Sequence, residues 1–178
     1  MSFNPPAKGY SKKDDDLMNV SSTPAAQGVD HNGIVVGRWK SGIFGCTDSL
    51  VPNACMAFFC PAISVAQICA RLGLARFYYV LVGFALLYLL ALIAAITKNA
   101  VMDGIVVIIS FATAFLIARL RWRVRYLFSL PGSGLEDCIY AMFCGCCTIS
   151  QMATQVESYT PGSCHFAPRN TLEGYTFA

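Results

Sequence analysis

From Phe77 to Thr97 the chain reads FYYVLVGFALLYLLALIAAIT, 21 positions without a charge, bracketed by Arg76 and Lys98. At 1.5 Å per residue, about 20 helical residues cross a hydrocarbon core of about 30 Å, so this run predicts a transmembrane helix. The run is apolar on every face, and a chain of 178 residues could hardly bury such a helix in a soluble core. A second uncharged run, 104 to 118, follows Asp103 and ends at Arg119. Counted from Asn99 it reaches 20 residues, enough to cross with Arg119 snorkelling to the surface. The expectation is a tight helical hairpin with spans at about 77–97 and 101–118, turning through KNAVMD.

Two further stretches, 49–70 and 138–156, carry no charge either. They contain Pro52, Asn53, Pro61, Ser64 and Gln67 in one, and Gly145, Thr148, Ser150, Gln151 and Gln155 in the other. That polarity suits interfacial helices or a packed cytosolic lobe better than a lipid-facing span. The two also align without a gap, FCPAISVAQI at 59–68 on FCGCCTISQM at 143–152, sharing Phe, Cys and Gln. The predicted fold is therefore a mainly α membrane protein. A two-helix transmembrane hairpin is flanked by two short, cysteine-rich, helical half-lobes on the cytosolic face. Residues 1–33 read as a disordered cytosolic tail, 34–157 as the membrane domain and 158–178 as a flexible C-terminal tail.

Composition supports lipid as the solvent: 13% of residues are charged and 56% are apolar. The net charge of +3 matters less than its placement, since Arg119, Arg121, Arg123 and Arg125 fall within seven residues. With Arg71 and Arg76 they put six basic residues on one side of the hairpin, against Lys98 on the other. This asymmetry predicts both termini in the cytosol. Arg119, Arg121, Trp122, Arg123 and Arg125 are expected at the membrane surface, each cation adding about 1 kcal/mol of attraction to an anionic leaflet. Nucleic acid is not the expected partner of a patch placed directly after a span.

Nine cysteines in a reducing compartment disfavour stable disulfides. Three other readings stay open. Cys146 and Cys147, beside the bilayer, are candidates for S-palmitoylation. Cys55, Cys60, Cys144 and Cys147 offer thiolates for Zn or another soft ion. Finally, the cysteines can act as small buried hydrophobes. No Ser/His/Asp or phosphate-cradling arrangement is present, His31 and His165 lie in the tails, and an enzyme is not expected. Asp103, at the outer mouth of the hairpin, is either a helix-capping residue or an acidic group on an ion pathway. Small residues at Ala91 and Ala95, and at Ser110, Ala114 and Ala118, form ridges that could close the hairpin or join copies in a homo-oligomer.

The segments 37–68 and 123–151 resemble the placenta-specific gene 8 family, which includes plant cell-number regulators, fruit-weight proteins and cadmium-resistance proteins. Trp39, Gly42, Phe44, Cys46, Cys55, Cys60-Pro61, Tyr126, Pro131, Gly132, Ser133, Asp137, Cys144, Cys147 and Gln151 carry the resemblance. It implies a small cysteine-rich protein of the plasma membrane. Its implied roles are divalent or heavy-metal cation transport by a homo-oligomer, or a membrane-anchored scaffold regulating cell number. The chain has Cys60-Pro61-Ala62 where the family commonly has Cys-Pro-Cys.

Overall fold

The computed structural model describes residues 28–45, 50–97 and 99–175. Most of the expected N-terminal tail, residues 1–27, lies outside them, as do Cys46 and Lys98. A two-residue antiparallel pair, β1 (Gly28–Val29) with β2 (Val35–Val36), opens the described chain. Among the described residues a short π-helical turn (Leu50–Ala54) and six α-helices follow: α1 (Cys55–Phe59), α2 (Pro61–Arg71), α3 (Phe77–Thr97), α4 (Ala100–Phe128), α5 (Gly134–Phe143) and α6 (Gly145–Gln155). The mainly helical expectation holds, and α3 and α4 are long and apolar enough to cross a membrane.

The predicted first span coincides with α3 residue for residue. Its charge-free sequence gives no reason to stop earlier, and its half-buried positions recur every three or four residues, at Val80, Phe84, Leu87 and Ala91. Ala94, rather than Ala95, is the small residue that closes the approach to α4, and Ser110 on α4 stays exposed.

α4 runs well past the predicted end at Ala118. Its 29 residues extend about 44 Å, some 14 Å beyond a hydrocarbon core of about 30 Å. Burial divides the helix accordingly. Every buried residue of α4 lies in its last third: Ala118, Leu120, Arg121, Val124, Arg125 and Phe128. The first two thirds is dressed for lipid and the remainder is a strut inside a protein core. Asn99 caps the helix by accepting from the Val101 N–H at 2.9 Å, so Asp103 is not the cap. It stands exposed in the first turn, where the helix dipole favours a carboxylate.

The half-lobes are built alike. α1 and α5 each end at a cysteine in a non-helical conformation, Cys60 (φ −132°, ψ 55°) and Cys144 (φ −141°, ψ 69°). Each break is followed by an 11-residue helix, and α2 packs on α6. Proline supplies part of the reason at Cys60, because the residue before a proline is pushed out of the helical region. The segment from α1 into α2 bends by 113°. The two breaks stand beside the spans rather than apart from them: Phe58 and Pro61, with Ala141 and Cys146, line a cavity of about 520 Å³ together with Tyr88 and Ala114.

Between the half-lobes lies one core of Ile34, Ile68, Leu72, Val124, Phe128, Met152 and Leu172 among others. Leu172 comes from the segment assigned to the C-terminal tail, while Ile34 opens the segment assigned to the membrane domain. Residues 158–175 do not hang free: the Leu172 N–H donates to the Arg71 carbonyl at 2.8 Å, and the Tyr175 hydroxyl donates to Asp30 at 2.8 Å. Scattered apolar residues, read as tail decoration, are anchors in this packing.

Candidate functional site

The four arginines sort by helical spacing. Residues four apart share a face, so Arg121 pairs with Arg125, and Arg119 with Arg123. The first pair turns into the lobe. Arg121 and Arg125 are buried, which corrects their expected place at the membrane surface; only Arg119, Trp122 and Arg123 keep some outward exposure. The physical reason is Asp137. Glu136 and Asp137 are the only acidic residues between Asp103 and Glu157, and α5 brings Asp137 back against the α4 strut.

Asp137 receives both guanidiniums. Arg121 Nε donates to Oδ1 at 3.1 Å, and Arg125 Nε donates at 3.0 Å to Oδ1 and 2.9 Å to Oδ2. Arg125 also donates to the Gly132 carbonyl at 2.6 Å, and Arg121 to Gln151 Oε1. Gln151 passes the network on by donating to the Ser41 carbonyl at 2.8 Å. The Trp39 ring covers the Arg121 guanidinium at 4.3 Å, and its indole N–H donates to the Pro131 carbonyl at 3.3 Å. Burial lowers the affinity of the Arg121 guanidinium for its proton, and the Asp137 carboxylate works against that shift. One carboxylate between the two buried cations offsets one of their two positive charges, and the further hydrogen bonds to Gly132 and Gln151 occupy guanidinium N–H groups that burial takes from water.

Local sequence explains how the partners arrive. Ser129 takes a left-handed conformation (φ 53°) and ends α4. Gly132 has φ +138°, and a Cβ there would stand 3.2 Å from Arg125 Cδ, so glycine lets the loop close over the guanidinium. Ser133 then caps α5 by accepting from the Glu136 N–H at 3.2 Å. Each step of Pro131-Gly132-Ser133 thus serves to deliver Asp137.

The thiols are arranged differently from the expectation. Cys144 and Cys147 are joined in a disulfide, with Cα atoms 5.3 Å apart. Positions i and i+3 at a helix start lie within bridging distance, and the C-x-x-C spacing at 144–147 was the signal to read. Cys146 is the remaining free thiol of that run, with the three sulfur atoms within 4.8 Å of one another. Cys55 and Cys60 are not part of this group, so the structure does not assemble the four predicted ligands. Of the two lipidation candidates, Cys147 is buried in the disulfide and Cys146 is half-buried with its thiol free. His165 lies in the C-terminal segment, where its carbonyl accepts from Gln67 at 2.8 Å.

Trp39, Pro131, Gly132, Ser133, Asp137 and Gln151, six of the residues that carried the family resemblance, take part in the buried network or in the loop that closes it. A family model described as the PLAC8 family matches residues 39–155, from the Trp39 lid to Gln155. The chain belongs to the PLAC8 family. Cell number regulator 4 of Zea mays is 30% identical over 122 residues, covering 68% of this chain and 68% of the maize protein. No solved structure matches the chain. Within the matched residues, a buried arginine pair held by one aspartate ties the α4 strut to the second half-lobe.

Proposed function

We propose that the protein is a membrane-anchored regulator of cell number that acts through its helical lobe, without catalysis and without itself conducting ions. The similarity to the maize cell number regulator supports the biological role. The observation that carries the mechanistic part is the chemistry of the spans. Their serine and threonine hydroxyls bond within their own helices: Ser110 donates to the Val106 carbonyl at 2.8 Å, Thr113 to Ile109 at 2.8 Å and Thr97 to Ile93 at 2.9 Å. Neither helix offers a charged side chain at mid-span, whereas the lobe holds an elaborate polar interior. In this reading both termini and the lobe face the cytosol, which the excess of basic residues at the lobe end of the hairpin supports, and the membrane is the plasma membrane. Homo-oligomerisation is not needed for it.

Cation handling is the second reading, favoured by the grouped sulfurs of Cys144, Cys146 and Cys147, which would present soft ligands for Zn once the disulfide is reduced. The two readings separate in one experiment. Cell number is counted in tissue expressing the wild type, Asp137→Asn, Asp103→Asn, or Cys144→Ser with Cys146→Ser and Cys147→Ser. A regulator acting through its lobe loses its effect with Asp137→Asn and keeps it with the other two variants. Loss of the effect with the triple cysteine variant, together with loss of bound Zn, would favour cation handling instead.

A further inference from the structure

A groove of about 660 Å³ runs along the outside of the hairpin where α2, α3 and α4 meet. Its wall is apolar: Leu74 below, Val80, Gly83 and Phe84 on α3, Leu116 and Ile117 on α4. Cys69 adds a thiol that burial pushes up to about 11, so this part of the wall is uncharged at neutral pH. The polar end is formed by Arg119, Trp122 and Arg123. Arg119 lies 5.9 Å from the Trp122 ring and enters none of the ion pairs among the described residues. It is exposed, in contrast to the buried pair that shares Asp137 on the opposite face.

The dimensions fit one leaflet. From Phe77, where α3 begins, to Leu87, which lines the inner end, is ten helical residues, about 15 Å. Half of a hydrocarbon core of about 30 Å is the same length. An apolar trough of one leaflet's depth, bordered by a spanning hairpin and opening at two guanidiniums and an interfacial tryptophan, matches an amphiphile with an anionic head and an acyl tail. We propose that this groove binds one anionic phospholipid, with an acyl chain lying along Gly83 and Phe84 and the phosphate facing Arg119 and Arg123. A guanidinium recognises phosphate oxygens by charge-assisted hydrogen bonds, and the leaflet on this side supplies the ligand. The proposal rests on α3 and α4 spanning the membrane with the lobe end at the cytoplasmic leaflet, and it is independent of what the lobe regulates.

The test is native mass spectrometry of the full chain in neutral detergent, titrated with phosphatidylserine or with phosphatidylcholine of the same acyl chains. One phosphatidylserine per chain is expected, retained at least about tenfold better than phosphatidylcholine. Arg119→Gln with Arg123→Gln should abolish the preference. A Cβ at Gly83 meets nothing within 4 Å, so Gly83→Phe, or the smaller Gly83→Leu if the first fails to fold, should fill the trough and reduce retention of both lipids. Equal retention of the two lipids by the wild type would overturn the proposal. So would undiminished binding in a folded Gly83 variant, which would show a lipid held by surface charge alone.

Discussion

Arg121 and Asp137, sixteen residues apart, meet inside the lobe with Nε 3.1 Å from Oδ1, each side chain only 2% exposed. Arg125 shares the same carboxylate, 2.8 Å from its Nη2 to Oδ2. Removing the carboxylate strands two buried cations, which costs about 3–5 kcal/mol. Asp137→Asn is therefore expected to lower the unfolding midpoint in detergent sharply and to expose the lobe to proteolysis, with α3 still inserted.

The two arginine pairs should respond in opposite ways. Arg121→Gln leaves Asp137 and Gln151 short of a partner and should destabilise the fold by several kcal/mol. Arg119→Gln, on the exposed face, should leave the unfolding midpoint within about 0.5 kcal/mol of wild type. Thermal unfolding of the two variants side by side measures the difference.

Gly132→Ala tests the loop that delivers Asp137. The residue sits at φ +138°, and the added Cβ would press on Arg125 Cδ at 3.2 Å and Glu136 Oε2 at 3.3 Å. A cost of about 1–3 kcal/mol is expected from the backbone conformation. Gly134→Ala, where a Cβ meets nothing within 4 Å, serves as the control and should be nearly silent.

Cys69 predicts a pH dependence. Burial raises its thiol from 9.0 to about 11. Below pH 9 the thiol is protonated in folded and unfolded chains alike, and its contribution to stability is fully present. As pH rises from 9 towards 11 the unfolded chain releases the proton first, so that contribution is lost. Cys69→Ala should flatten the decline of stability over this window. Mass mapping after alkylation at pH 8 should show the exposed Cys164 modified well before Cys69.

What could be read from sequence follows from how local each cause is. The span Phe77–Thr97 needs no partner to define it, because its apolar length and flanking charges are complete within the segment. The match of 59–68 to 143–152 was equally legible, since it lies in the residues themselves, and Pro61 accounts locally for the break at Cys60. The fate of Arg121 and Arg125 was not. Four arginines after a span read as a topological signal until helical spacing divides them and a distant aspartate claims one pair. The end of α4 was missed for the same reason: a charged continuation looks like an exit from the membrane, yet here it is the entry into a core. Leu172 and Tyr175 lay in a segment polar enough to read as a tail, and only partners more than 90 residues away make them anchors.

The central claim is that the hairpin anchors and the lobe acts. Purified full chain reconstituted into liposomes, with Ca²⁺, Zn²⁺ or Cd²⁺ followed by entrapped fluorescent indicators, tests it most directly. Flux no greater than that of empty liposomes is predicted, for the wild type and for Asp103→Asn alike. Cation flux that appears with the wild type and disappears with Asp103→Asn would contradict the account.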